Sequence, residues 1–433
     1  MRLLLRFFLI AWICVRAVGR YAWRRAGAGR LDAAARERLR GDVLAGTLER
    51  LGATFVKFGQ ILSTRPDLLG PGYIAALSRL QDRVPPAPFA EVEAVLAAEL
   101  DAPRHARLVD VEPEPVAAAS VAQVHRARLD TGELIALKVQ RLDAAHQIER
   151  DLVLLSLGAR LLDLLPTLHL LSLPGAVARF GAAMHGQLDF TREAANNRRF
   201  AANFAAVEGI GVPRLYDDLC TRRVLAMEFV HGVRATEPEK VGGDRVRLAR
   251  RGGECILKMV FTDGFVHADL HPGNILLTPD GRVVLLDLGL VAEVPAEVMR
   301  PWCQTFMALA QRDGREVSRL FYVYAPSVAT PDYAAYEGEV VRFFDDLYGK
   351  TIGEVEVSVV IAGAMAILRR HRVQIDPVFT VVNIAMLVAE GLGKQLDASL
   401  DMVQLAIPYL MQALATAPPG KPPLRALPLP RPA

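Results

Sequence analysis

The chain has 433 residues, 52% of them hydrophobic, with a mean hydropathy of +0.23 and a formal net charge of +3. This length allows two or three domains with a full core, and so apolar a composition indicates either a large core or contact with a membrane. The modest net charge predicts no nucleic-acid partner, and four cysteines without C-x-x-C spacing predict neither a disulfide framework nor a zinc site.

The first 30 residues combine apolar side chains with seven arginines, and no acidic residue occurs before Asp32. The arginines lie within or beside the apolar stretch of residues 3–13, a pattern typical of a helix that lies at a membrane interface and is attracted to anionic lipid. We therefore predict that residues 1–30 adsorb to an anionic membrane surface; a signal peptide and an Arg-rich transit peptide are the alternatives. Because no stretch reaches about 18 uninterrupted apolar residues, no membrane-spanning helix is predicted.

Residues 117–124 read AAASVAQV and overlay the phosphate-binding loop of protein kinases, G-x-G-x-x-G-x-V, with alanine at each glycine position. Glycine permits positive φ and a close backbone approach to phosphate that a Cβ obstructs, so this loop should be stiffer than a kinase loop. Composition alone would favour a helix here. The nucleotide-binding residues predicted in this segment are Ala117, Ala118, Ala119, Ser120, Ala122 and Gln123.

The apolar stretch after this loop ends on a lysine, in the order IALK at residues 135–138, where kinases have V-A-I-K. Residues 124–127 and 134–139 are predicted as two strands joined by a tight turn at Thr131-Gly132. The prediction places Lys138 on the third strand, from which the kinase lysine pairs with the α- and β-phosphates of ATP.

Lys138 needs a carboxylate partner on a helix, and the candidate is Glu193 in QLDFTREAANNRRF, a segment with helical spacing. Glu149 and Glu133 are weaker candidates. The distance along the chain between Lys138 and Glu193 exceeds that of ordinary kinases, so residues 141–183 are predicted to be an insertion.

Residues 224–229 read VLAMEF and are predicted as the fifth strand followed by the hinge. Met227 takes the gatekeeper position, and the backbone of residues 228–230 is predicted to face adenine. Glu228 is therefore a further predicted nucleotide-binding residue.

Residues 267–289 contain HADLHPGN followed by LLDLG, and three polar side chains occur there at kinase intervals. Asn274 follows Asp269 by five residues, as in the catalytic loop H-R-D-L-x-x-x-N, and Asp287 stands where D-F-G has its aspartate. Phosphoryl transfer needs a carboxylate near the nucleophile, and an amide and a carboxylate to hold Mg²⁺ against the phosphates. Asp269 fits the first role, and Asn274 and Asp287 fit the second. The alternative is that Asp269 caps a helix and Asp287 ends a strand.

On these motifs the chain resembles the UbiB/AarF/ADCK family of atypical kinase-like ATPases over residues 51–400. The resemblance implies an α+β, bilobal protein-kinase-like fold with a helical N-terminal extension and a helical insertion in the small lobe. It also implies a K-x-G-Q motif, supplied here by Lys57, Gly59 and Gln60 in LGATFVKFGQILSTRPDLL. By the same resemblance, Lys57 and Gln60 lie over the active site and block a protein substrate; the alternative is an amphipathic helix with a solvated lysine.

The resulting domain prediction has five parts. A basic, apolar, membrane-proximal segment spans residues 1–30, the helical extension 31–103, the small lobe 104–234, the large helical lobe 235–416 and a Pro-rich disordered tail 417–433. Two apolar runs, residues 358–368 and 377–389, are predicted as buried helices of the large lobe. The family's acidic E-x-D pair reads Gln187-Leu188-Asp189, so an amide replaces its first carboxylate.

These motifs imply binding of ATP and Mg²⁺ and transfer or hydrolysis of the γ-phosphate. The family resemblance adds a role in ubiquinone or related isoprenoid-quinone biosynthesis, with a quinone-precursor lipid or quinone-biosynthesis proteins as partners, at the cytoplasmic face of a bacterial inner membrane. A protein kinase is one rival, although LVAEVPAEVM after Gly289 contains no A-P-E segment. A nucleotide-binding pseudoenzyme that scaffolds a membrane complex is the other, although pseudoenzymes usually lose a catalytic polar residue.

Overall fold

The computed structural model describes residues 2–29, 31–63, 69–80, 84–164, 173–330, 332–347, 357–418, 420 and 422–427. The chain divides into two compact units, the first comprising Met1–Arg199 and Pro213–Val230 and the second Phe200–Val212 and His231–Ala433. Both units mix helices with small sheets, which confirms the predicted α+β class. The chain enters the second unit at Phe200, returns to the first at Pro213 and passes to the second again after Val230, at the end of the predicted hinge.

The first unit begins with helices and continues into an antiparallel sheet. Its helices are α1 (Arg2–Gly27), α2 (Ala33–Leu51), α3 (Ala53–Ser63), α4 (Pro71–Leu77), α5 (Phe89–Glu99), α6 (Ala102–Ala106), α7 (Ala144–Asp163), α8 (Leu173–Gln187) and α9 (Phe190–Phe204), whose last turn belongs to the second unit. Its strands are β1 (Leu108–Val111), β2 (Ala117–Ala118), β3 (Ala122–Leu129), β4 (Leu134–Gln140) and β6 (Val224–Glu228), with β5 (Ile210–Gly211) in the second unit.

The sheet of the first unit has the order β1-β3-β4-β6, and β2 also pairs with β3. Because β1 and β2 both pair with β3, they act as one interrupted edge strand, and Lys138 on β4 then lies on the third strand as predicted. Alternate side chains of a strand point to opposite faces. Leu137 and Val139 are accordingly buried with α5 on one face, and Lys138 belongs to the other.

The helical extension packs through glycines. A Cβ at Gly41 of α2 would lie 2.6 Å from the Gly72 carbonyl oxygen of α4, closer than real Cβ atoms approach. A Cβ at Gly59 of α3 would overlap the side chains of Leu80 and Leu48. The glycine of the K-x-G-Q motif therefore lets α3 approach its neighbours closely.

The second unit contains strands β7 (Val233–Arg234), β8 (Phe265–His267), β9 (Ile275–Leu277), β10 (Val283–Leu285) and β11 (Val291–Glu293), arranged as β5-β10-β9-β7 and as the pair β8-β11. Its helices are α10 (Arg245–Leu257), α11 (Ala296–Ala310), α12 (Gly314–Tyr324), α13 (Tyr333–Leu347), α14 (Val357–Arg370), α15 (Pro377–Leu396) and α16 (Met402–Thr416). Aspartates that accept from backbone amides begin several of these helices; they are Asp244, Asp313, Asp376 and Asp401.

The two apolar runs predicted as buried helices form α14 and α15, and both contribute to the hydrophobic cores of the second unit. None of the helices within the described ranges combines the length and apolar character that crossing a bilayer requires. In the tail, the Leu424 amide donates to the Val323 carbonyl at 2.8 Å and Arg425 donates to the Ala325 carbonyl at 2.7 Å. These two residues are thus held at the end of α12, which differs from the predicted disorder.

Some predictions fall outside the described residues. They concern Arg30 of the basic segment, residues 64–68 after the K-x-G-Q motif, and tail residues 419, 421 and 428–433.

Candidate active site

The first unit contains the predicted lysine–glutamate pair. Lys138 Nζ lies 2.9 and 2.8 Å from the two carboxylate oxygens of Glu193, with 14% of the lysine side chain and 6% of the glutamate side chain exposed. The predicted pairing is therefore confirmed. The two weaker candidates are not used: Glu133 pairs with Arg214 at the surface, and Glu149 is exposed.

The position of Glu193 follows from how α9 begins. Asp189 accepts from the Thr191 amide at 3.1 Å, which satisfies an amide of the first turn. The Phe190 amide donates to the Arg222 carbonyl at 3.0 Å, and Gln140 on β4 donates to the Leu188 carbonyl at 2.8 Å. The start of α9 is thus bonded to the strand that carries Lys138, which fixes Glu193 within reach of the ammonium group.

The alanine-rich segment is a β-hairpin and not a helix, so the helical alternative is wrong. Ala117 and Ala118 pair with β3, the Ala119 amide donates to the Ala122 carbonyl at 2.8 Å, and the Val121 carbonyl accepts from the Arg141 amide at 2.9 Å. Within the described residues, the non-glycine positions with positive φ are Asp287, Arg312 and Arg372. The turn therefore needs no left-handed residue, which is why alanine is accommodated; its role in nucleotide binding stays a prediction.

We expect Ala119→Gly to change the affinity for ATP or the preference between ADP and ATP, because glycine restores backbone freedom beside the predicted phosphate position. Binding isotherms for both nucleotides check this. Ala182→Gly on α8 is a control, since it makes the same exchange at an exposed position of the same unit. Isotherms of Ala119→Gly that match the wild type for both nucleotides would remove this segment from the nucleotide site.

Gln123 requires a correction, because its side chain has another use. It is buried on the face of the sheet opposite Lys138, accepts from the Ala87 amide at 2.8 Å and lies 2.9 Å from His125 Nε2. Burial lowers the pKa of His125 below its ordinary value, and the hydrogen bond with the Glu112 carbonyl offsets only part of this shift. Strand alternation turns Gln123 toward α5 and away from Lys138, so the predicted contact of its side chain with the nucleotide is wrong.

Glu228 at the predicted hinge ends β6, and its backbone amide donates to the Arg214 carbonyl at 2.8 Å. That bond occupies the backbone N–H of Glu228, which is then not available to adenine. A role in binding adenine stays a prediction and rests on the carbonyl oxygen of Glu228.

Lys57 and Gln60 lie on α3, and Lys57 is only 7% exposed. The alternative of a solvated lysine is therefore wrong. Gln60 Nε2 donates to the Leu80 carbonyl at 3.1 Å. The side-chain oxygen Oε1 of Gln60 is buried and has no hydrogen-bond partner within the described residues. The predicted contact of these residues with the active site stays a prediction.

The second unit brings Asp269, Asn274 and Asp287 into one backbone network. Asn274 ends a short 3-10 turn and donates from Nδ2 to the Asp269 carbonyl at 3.1 Å. The Leu286 amide donates to the Asn274 carbonyl at 2.8 Å, which extends the β9-β10 hairpin to the residue before Asp287. These contacts arrange the three polar residues around the ends of one hairpin. The capping alternative for Asp269 does not apply, because no helix begins there.

His267 is a residue that the sequence analysis did not assign. It is buried, its Nε2 lies 3.0 Å from the Leu286 carbonyl, and its Nδ1 accepts from the Asp269 amide at 3.1 Å. A donor at Nε2 and an acceptor at Nδ1 describe a neutral imidazole. His267 thereby links the segments that carry Asp269 and Asp287. The sequence signal that could have identified His267 is its position two residues before Asp269, where the kinase motif H-R-D also has a histidine.

Asp287 has φ of 54°, in the left-handed region that few non-glycine residues adopt. Aspartate tolerates this region better than most residues, because its short side chain can bond locally. The next residue, Leu288, is buried in the main core of the second unit, so it fills the apolar position that Phe occupies in D-F-G. Burial of Leu288 helps to hold the backbone of Asp287 in this conformation.

The donor set fits Mg²⁺. The metal prefers oxygen ligands and usually keeps few protein ligands beside substrate phosphates. Asp287 offers a carboxylate, and Asn274 has its amide nitrogen engaged, which leaves Oδ1 for a cation. That Asn274 and Asp287 hold a Mg²⁺ ion stays a prediction.

Comparison with known proteins agrees with these motifs. Residues 79–321 match the family model of the ABC1 atypical kinase-like domain, and residues 340–401 match that of the UbiB helical domain. A probable protein kinase UbiB from Shewanella halifaxensis is 33% identical over 389 residues, which are 88% of this chain and 71% of that protein. The chloroplastic protein ACTIVITY OF BC1 COMPLEX KINASE 3 from Arabidopsis thaliana is 34% identical over 85% of this chain, and the match spans about half of its length, 52%.

A solved structure of Rv3197 from Mycobacterium tuberculosis with erythromycin has a TM-score of 0.55 to this chain, at 23% identity. The alignment covers 78% of this chain and 87% of that one. At this identity the likeness concerns the fold alone.

Proposed function

Because the chain belongs to the family of ABC1 atypical kinase-like proteins, with a UbiB helical domain, we propose that it binds MgATP and hydrolyses it or transfers its γ-phosphate. We further propose that it acts at the cytoplasmic surface of a bacterial membrane in support of isoprenoid-quinone biosynthesis. A quinone-precursor lipid or the proteins of that pathway would be its partners.

The observation that supports the chemistry best is the network in the second unit, where backbone and side-chain bonds order Asp269, Asn274 and Asp287. In this proposal Asp269 orients the attacking water or hydroxyl group and accepts its proton, and Lys138, held by Glu193, binds the phosphates. Bound Mg²⁺ would neutralise charge on the phosphates. Glu193 acts through Lys138 and fixes the direction of its ammonium group.

Two rivals are weaker. A protein kinase needs an accessible groove for a peptide, whereas Lys57 is buried and, with Gln60, is proposed to block that groove; A-P-E is also missing after Gly289. A pseudoenzyme scaffold would not need the full set of Lys138, Asp269, Asn274 and Asp287.

One experiment separates the three functions. We expect the purified full chain to release phosphate from ATP, faster with anionic vesicles and a quinone-precursor mimic, and to leave a peptide library unphosphorylated. Peptide phosphorylation would support the protein-kinase rival and overturn the occlusion by Lys57 and Gln60. MgATP binding without turnover under every condition would support the scaffold.

The membrane part of the proposal rests on α1. Its buried side carries Ile13 and Ala17, whereas large apolar side chains are exposed around the rest of the helix; they include Leu4, Leu5, Phe8, Trp12, Val15 and Trp23. Not every arginine is available to lipid, because Arg6 is bonded to Asp151 and Arg20 donates to Thr47. Arg16 and Arg24 are exposed among the apolar residues.

Replacing both Arg16 and Arg24 by glutamate should lower binding to anionic vesicles at least about tenfold at low salt, since each basic residue near such a surface contributes on the order of 1 kcal/mol. The difference from wild type should shrink toward molar salt because screening shortens. Vesicle co-sedimentation across a salt series measures this. Arg315→Glu on α12, also exposed, is the control. Equal sedimentation of the Arg16 and Arg24 variant and wild type would contradict the proposal.

A further inference from the structure

The outer face of α7 carries an apolar stripe that the proposed chemistry does not use. Val153, Leu157 and Leu161 are 55%, 50% and 60% exposed, and their spacing of four residues aligns them along one side of the helix. The opposite side of α7 is buried in the core through Ile148, Leu152 and Ala159. A surface helix normally presents polar residues to solvent, so a continuous apolar stripe there marks a contact surface.

Helix α7, which carries this stripe, is joined to α1 by a buried ion pair. Arg6 Nε lies 2.7 Å from Oδ1 of Asp151 and its Nη2 lies 3.0 Å from Oδ2, while Asp151 is 0% exposed. The same Nη2 donates to the Leu51 carbonyl at 2.6 Å, at the end of α2. A buried charge pair with satisfied hydrogen bonds is costly to separate, so it holds α1 firmly against α7.

The exposed apolar surfaces of the two helices meet at this ion pair. On α7, the half-buried Leu154 stands three residues after Asp151 and three before Leu157, so it extends the stripe to the edge where α1 is bound. On α1, the exposed Leu3 and Leu9 stand three residues to either side of Arg6. The apolar surface therefore continues from α1 onto α7.

We infer that the stripe of Val153, Leu157 and Leu161 is a second contact with an anionic lipid bilayer. The stripe lies beside α1 and inserts its apolar side chains into the bilayer interface. This inference rests on the proposed membrane binding of α1 and assigns it a wider surface. It also gives the insertion of residues 141–183 a role.

Charge favours a bilayer as the occupant. Residues 153–161 contain a single charged residue, Arg160, and no carboxylate. Arg160 is exposed and can extend its guanidinium to lipid phosphate while its stem stays on the apolar side. Beside the stripe runs an open groove of about 610 Å³, with Leu152, Val153 and Leu157 among its lining residues and Arg160, Glu149 and His185 also lining it.

The test replaces Leu157 and Leu161 together by aspartate in the full chain. We expect the partition coefficient onto vesicles of equal parts phosphatidylcholine and phosphatidylglycerol to fall at least about tenfold, because two apolar side chains no longer leave water. The loss should persist at high salt, unlike that of the arginine variants of α1. Val246→Asp on α10, where the valine is 60% exposed, is the matched control and should bind as wild type.

A second variant reports contact directly. Leu157→Trp is made together with Trp12→Phe and Trp23→Phe, which leaves the buried Trp302 as the other fluorophore. We expect a blue shift of the emission when vesicles are added, because the introduced indole enters an apolar environment.

The outcomes distinguish this inference from the proposal on which it rests. If the double aspartate variant partitions as wild type and the emission of the Leu157→Trp variant does not shift, the stripe is not a lipid contact, while binding through α1 stands. If that result comes with a change in the mass of the protein in solution, the stripe belongs to a second copy, which also overturns the inference. If the wild-type chain does not bind these vesicles, both membrane proposals fail, and ATP turnover is tested separately.

Discussion

Asp269→Asn should lower ATP turnover by at least about a hundredfold while MgATP binding stays close to wild type, since this is the scale of losing a general base. The amide keeps the size of the side chain and cannot accept the proton of the attacking group. The contacts that order the loop should survive, because the bonds from Asn274 Nδ2 and to His267 Nδ1 use the backbone of residue 269 and not its side chain.

Phosphate release under single-turnover conditions and a nucleotide-binding isotherm measure the two quantities on the same preparation. Asp280→Asn is the matched control, because Asp280 is exposed in the turn between β9 and β10 and pairs with Arg282. A turnover by Asp269→Asn equal to wild type would show that another group activates the nucleophile. A parallel loss of MgATP binding would instead show that Asp269 helps to hold the nucleotide.

The sequence allowed the ion pair of the first unit to be predicted because its chemistry is specific. A lysine at the end of an apolar strand and a glutamate at the start of a helix need each other when both are buried, and helical spacing favoured Glu193 over the weaker candidates Glu149 and Glu133. Lys138 and Glu193 are 55 residues apart, so their contact required an assumed fold in addition to local patterns.

Gln123 shows where local reasoning was insufficient. Its place in the kinase motif suggested a nucleotide contact, but the period of two along a strand turns it to the face that α5 covers. The register of β3 against β4 decides which residues of β3 lie on the same face of the sheet as Lys138. The overlay of alanines on the kinase glycines does not contain that information. The overlay did locate the hairpin, because its position before the strand of Lys138 outweighed the helical propensity of alanine.

The Arg6 and Asp151 pair could not be inferred from the sequence, because 145 residues separate the two side chains and neither lies in a recognisable motif. Arg6 is one of the seven arginines predicted to attract lipid, whereas its side chain is bonded to Asp151 and only 19% exposed. The stripe on α7 was accessible to pattern analysis through its four-residue spacing, but the spacing alone did not indicate whether the apolar side faced the core.

Asp287→Asn should weaken MgATP binding at least about tenfold, because an amide loses the negative charge that a divalent cation requires from this position. The exchange isolates that charge, since asparagine also tolerates the left-handed region that φ of 54° requires. Leu288 stays buried, so the backbone should keep its course. Isotherms for ATP with Mg²⁺ and with a chelator measure the effect, which should disappear in the chelator. Asp280→Asn again serves as the control, and equal Mg²⁺ dependence in Asp287→Asn and wild type would assign the metal to other ligands.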